Sequence, residues 1–162
     1  MRVSKYVAGA LVSVGLMGLA DAAPAANLFF EGDMVRGRGR EGATGATCVL
    51  SNQFMRREIV AWRVRVLGED GQPVDDKGLK SLVVQMSDGQ TFDMKFGPHP
   101  RNPPQTDSFW ATSWAIPADY PTGSFSYKVI ATDLDGNTHE WAPFNVGSSQ
   151  LTVIPGDVTF TK

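Results

Sequence analysis

A chain of 162 residues, 42% of them apolar, is long enough for one domain with its own core, and its single cysteine excludes an internal disulfide. Fifteen basic against 17 acidic residues leave a net charge of −2, which argues against nucleic acid as a general partner. The sequence holds no Cys-x-x-Cys-His, which excludes covalent c-type haem, and no Gly-x-Ser-x-Gly or His-x-His.

Residues 1–25 read as a secretory signal peptide. Arg2 and Lys5 form a positive start, Tyr6 to Ala20 is apolar, and small residues follow at Ala20-Asp21-Ala22 and Ala23-Pro24-Ala25. This apolar run is shorter than the roughly 20 residues that a membrane span needs. Cleavage after Ala25 removes Arg2, Lys5 and Asp21, leaving 13 basic and 16 acidic residues. The expected location is the periplasm or the exterior, with no membrane span after cleavage.

Residues 26–46 form a strand candidate, Asn27 to Val35, and a loop, Arg36 to Gly45, with four glycines and three arginines. Residues 47–162 hold the main domain. Thr47 to Ser51 is short and apolar, a strand or the approach to one. Ile59 to Leu67 (IVAWRVRVL) is the strongest element: Val60, Trp62, Val64 and Val66 share one face, Arg63 and Arg65 the other. Gly68 to Pro73 turns the chain. Ser81–Met86 and Gln90–Phe96 alternate around Ser87-Asp88-Gly89. A two-residue turn there would set Asp93 and Lys95 against the core face. A three-residue loop with Gly89 left-handed pairs Met86 with Gln90, Val84 with Phe92 and Leu82 with Met94, and is the register expected.

Gly97 to Thr106, with four prolines, reads as a long stiff loop. Alternation returns over Phe109–Ile116 and again over Phe125, Tyr127, Val129 and Ala131. Asp133 to Asn137 turns the chain, Thr138 to Val146 continues as a strand broken at Pro143, and Leu151, Val153 and Ile154 begin the last one. Roughly eight strands and no helical period predict an all-β, antiparallel two-sheet sandwich.

Two runs carry a resemblance: Glu58 to Val74 (EIVAWRVRVLGEDGQPV) and Tyr120 to Asn137 (YPTGSFSYKVIATDLDGN). Both are similar to the central and late strands of bacterial immunoglobulin-like (E-set type) modules of exported proteins. The resemblance covers about residues 47–155. It implies an immunoglobulin-like sandwich of seven to eight strands. It also implies roles such as adhesin, carbohydrate-binding module, enzyme spacer or accessory subunit of an envelope complex.

Catalytic chemistry has little to stand on. His99 and His139 are the only histidines, and neither sits in a nucleophile motif. The Asp133–Asn137 run begins like a calcium loop, but Gly136 stands fourth where an EF-hand needs glycine sixth. Met86 and Met94 alternate with core residues. No enzyme activity, cofactor or metal is therefore expected. Cys48 is a candidate thiol with three readings: inert and buried, bonded to another chain, or a reactive or carrier thiol. Arg36, Arg38, Arg40 and Arg101 are candidate donors to an acidic protein partner, with His99 making the contact pH-sensitive. Their two loops, with Asn102, are expected to meet at one end of the sandwich.

The expected function is an exported, non-catalytic binding or assembly subunit accessory to a larger envelope complex. The alternatives are a small metal- or thiol-based redox or carrier protein using Cys48 and His99, and a carbohydrate-binding module that presents tryptophans. Mass spectrometry of protein from the producing cell should give an N-terminus near Ala23 or Ala26; a soluble cytoplasmic pool with intact Met1 would contradict export.

Overall fold

The computed structural model describes residues 27–37 and 49–156. The expected signal peptide, Arg38, Arg40, Cys48 and the tail around Val158 and Phe160 lie outside the described residues. Eleven strands follow in order: β1 (Phe29–Arg36), β2 (Gln53–Met55), β3 (Ile59–Leu67), β4 (Leu79–Met86), β5 (Thr91–Asp93), β6 (Lys95–His99), β7 (Asp107–Ala115), β8 (Gly123–Phe125), β9 (Tyr127–Asp133), β10 (Thr138–Trp141) and β11 (Leu151–Ile154). Among the described residues there is no α-helix, only a 3-10 turn at Gly147–Ser149, and no helix able to cross a membrane.

The all-β expectation holds, and β3 has the predicted bounds. Its inward residues Val60, Trp62, Val64 and Val66 are all buried. On its outward face Arg63 forms a two-pronged pair with Asp33 of β1, at 2.7 and 2.6 Å, and Arg65 reaches Glu31 and Asp107. One four-stranded sheet has the order β1-β3-β7-β6 and a second the order β10-β9-β4-β5. Their inner faces share one core. The Trp62 ring stacks on Phe92 of the opposite sheet at 5.4 Å and meets Tyr127 edge-on at 6.1 Å.

The β4–β5 hairpin has the three-residue loop expected. Val84 pairs with Phe92, the Met86 N–H donates to the Gln90 carbonyl at 2.8 Å, and Gly89 has φ +91°. That backbone conformation is the reason for glycine there. The strand expected over Gln90–Phe96 divides at Met94. The Met94 N–H makes a last bond to Leu82 at 2.8 Å, and from Lys95 the chain pairs with β7 in the other sheet. The expected stiff loop shortens accordingly, because Gly97, Pro98 and His99 belong to β6. Pro98 is accommodated because β6 is an edge strand.

A second division falls at Ser126. It sends Gly123–Phe125 to a third sheet of order β2-β11-β8, in which β2 and β11 are parallel rather than antiparallel. These two divisions, with β2, raise the strand count above the seven or eight expected. The third sheet closes the end where β3 begins and β7 ends, inserting Phe54, Leu151 and Val153 into the core beside Ile116.

Trp62 is 1% exposed, and its indole N–H has no partner. Trp62→Ala should therefore cost about 3–5 kcal/mol, read from denaturant unfolding followed by circular dichroism. Trp62→Phe should cost less, since a ring still faces Phe92 and the unpaired donor is gone.

Candidate functional site

The sheets leave a cleft of about 450 Å³ between the edge strands β1 and β10. Gly32, Asp33 and Met34 of β1 form one side, and Tyr127 and Trp141 the other. The wall is completed by Leu50–Asn52 and by the connection after β10, which contributes Pro143, Phe144, Ser148 and Ser149. Phe144 is 84% exposed and Leu50 66% exposed, so two large apolar side chains stand at the opening.

Each wall has a local cause. Period two in β10 turns Trp141 and His139 inward, and Trp141 then reaches across to β1. A Cβ at Gly32 would lie 2.8 Å from the Trp141 ring, so the indole occupies space that only glycine leaves open. Asn52 ties the wall together. Its amide donates to the Gly147 carbonyl at 2.9 Å, and its own carbonyl accepts the Thr152 N–H at 2.7 Å.

Tyr127 lies at the base, 6% exposed. Burial, and then the Asp33 carboxylate, push its phenol up from 10.0 to about 12. Asp33 itself is held by Arg63. The lining therefore offers aromatic surface, serine hydroxyls and an asparagine already engaged. Among the described residues it contains no histidine beside those hydroxyls. Such a lining recognises shape and apolar area.

Of the residues singled out in the sequence, Arg36 and His99 stand apart, while Arg38 and Arg40 lie outside the described residues. Arg36 ends β1 beside the start of β3, whereas His99 ends β6 beside Asp107 at the start of β7. Three successive antiparallel pairings put these termini at opposite ends of the sheet, roughly 23 Å apart along the strands. Arg36 is also engaged internally, donating to the Gln53 carbonyl at 3.3 Å and lying 3.7 Å from Glu58. The His99 ring packs on Phe109 at 5.1 Å, and Arg101 is exposed on the loop that follows.

His139 meets Asp133 at 3.2 Å across the β9–β10 turn. The Asn137 side chain is the main reason that the Asp133 carboxyl is lowered to about 2, with His139 assisting and burial opposing. This network closes the turn around Gly136, at φ +92°. Among the described residues no group of three His, Cys, Asp or Glu side chains is placed to hold a metal.

Comparison with known proteins returns no matching family model, no matching curated protein and no matching solved structure.

Tyr127 gives the cleft a pH signature. Its folded pKa lies above its unfolded value, so its contribution to stability is complete below pH 10 and is lost as pH rises through about 12. Chemical denaturation across that window should show the decline. Tyr127→Phe should reduce it, leaving the part due to Tyr120, whose phenol is raised by burial and by Asp88.

Proposed function

We propose that the chain is an exported, non-catalytic binding subunit of the cell envelope, built on an immunoglobulin-like sandwich. The sheet orders support the fold reading. With β1, β3, β6 and β7 taken as strands A, B, D and E, the first sheet has the A-B-E-D order of immunoglobulin domains. With β4, β9 and β10 taken as C, F and G, the second has the G-F-C order, extended by β5. The third sheet is an addition to that plan.

The observation that carries the functional reading is the cleft at the open side, with Phe144 and Leu50 at its mouth and Trp141 and Tyr127 behind them. Solvated apolar area of this kind is stabilised by a partner that covers it. The basic residues support the reading less directly, since Arg36 and His99 stand at opposite ends of the sheet. Carbohydrate binding is a second reading. It is favoured by Trp141 and Phe144 lying among the hydroxyls of Ser148 and Ser149.

The test compares the wild-type chain with Phe144→Asp, both purified from the native envelope under non-reducing conditions. Phe144 is almost fully solvated, so the variant should fold normally. A stoichiometric protein partner retained by the wild type and lost by Phe144→Asp is the expected result. Retention of an envelope polysaccharide through Phe144 would favour the second reading. A chain that retains neither, or a variant that loses nothing, would overturn both.

A further inference from the structure

The cleft is bordered by an unfinished sheet edge. Peptide groups of β1 alternate in direction. Those of Phe29, Glu31, Asp33 and Val35 face β3, and those of Phe30, Gly32, Met34 and Arg36 face away. The Gly37 N–H bond to the Ile59 carbonyl, at 2.8 Å, fixes this parity. The last outward groups are occupied: the Ser51 N–H donates to the Met34 carbonyl at 3.1 Å, and the Arg36 N–H to the Val49 carbonyl at 2.9 Å. Leu50 runs antiparallel to β1 opposite Val35. After Asn52 the chain leaves for β2. The outward N–H and C=O groups of Phe30 and Gly32 have no partner among the described residues.

The geometry points to strand addition at this edge. An extended segment of a partner protein continues the Val49–Ser51 line antiparallel to β1, exchanging main-chain hydrogen bonds with Gly32 and Phe30. The inference rests on the binding reading above and names the chemistry of the partner. Residues of the added strand opposite Gly32 and Phe30 share their inner face, so their side chains enter the cleft toward Trp141 and Tyr127. Those positions call for apolar residues. The alternate positions lie opposite Glu31 and Asp33 on the outer face. Two arginines there, Arg63 and Arg65, meet three carboxylates, Glu31, Asp33 and Asp107. Glu31 is the most exposed of the three. This favours lysine or arginine at the outward positions.

A second copy of the chain fits less well. An antiparallel β1–β1 pairing through residues 30 and 32 centres on residue 31 and sets Glu31 against its own counterpart, a like-charge cross-strand pair. A sugar would leave the alternating amide and carbonyl pattern of the edge unmatched.

The test uses the ¹⁵N-labelled protein and a display library of heptapeptides with lysine at odd positions and any apolar residue at even ones. Selected peptides should slow hydrogen exchange of the Gly32 and Phe30 amides by about tenfold or more, while Glu31 and Asp33, already bonded to β3, change little. N-methylation of the peptide's apolar residues removes the donors that face β1 and should weaken binding about tenfold or more. N-methylation of the lysines, whose N–H groups face away, should not.

Equal affinity of the two methylated isomers, an unprotected Gly32, or no selected binder would overturn strand addition. So would peptide-free, concentration-dependent protection of Gly32 with a dimer in sedimentation, which would assign the edge to a second copy. Failure here is separable from failure of the binding reading. A native partner lost with Phe144→Asp while Gly32 stays unprotected removes strand addition alone.

Discussion

Trp62 meeting Phe92 across the gap between the sheets is the contact on which the rest of the architecture depends. The indole is supplied by the longest uninterrupted alternation in the chain and is stacked at 5.4 Å by a residue from the opposite sheet. Phe92 also touches Trp114 at 5.5 Å, and Trp114 meets Tyr120 at 4.7 Å, so one aromatic chain runs from β3 through β5 and β7 to the loop before β8. Side chains of this size set the sheet separation. Burying each yields several kcal/mol, whereas the exposed ion pairs on the outer face of β3 yield little.

The same spacing explains the cleft. In the middle of the sandwich, large side chains from both sheets fill the gap. At the β1–β10 side, the β1 residue facing Trp141 is glycine. One indole bridges the two edges where elsewhere two side chains share the space. The unfilled volume lies next to that single contact. Gly32 serves the sheet interface and the open edge together: its missing side chain admits Trp141, and its peptide groups remain directed outward.

Much of the fold is legible in residue order. The β3 bounds and faces follow from period two alone, and the β4–β5 register follows from keeping Val84 and Phe92 on one side. What alternation cannot tell is which sheet a strand joins. Gln90–Phe96 keeps its period through Met94 while its hydrogen bonds pass from β4 to β7, and Phe125–Ala131 does the same at Ser126. The site is less legible still. Its lining comes from four separated stretches of chain, and its key element on β1 is the lack of a side chain. Trp141 is the one residue whose place beside Pro143 signals something other than core. The arginines are conspicuous in sequence because they cluster with glycines, yet a local cluster carries no information about the far end of a sheet.

Asn52 and the parallel β2–β11 pair have a consequence for timing. They join residues about a hundred positions apart, Gln53 to Thr152 and Asn52 to Gly147. Pairings of such separation carry a large loop-closure cost and form late. In a chain synthesised from its N-terminus, the wall holding Leu50–Asn52 cannot be complete until residues 147–154 have been made. The core pairings of β3, β4, β5 and β7 use only earlier residues. The cleft is therefore left open on one side in a truncated chain, and both of its walls stand together only in molecules carried through to the last strand.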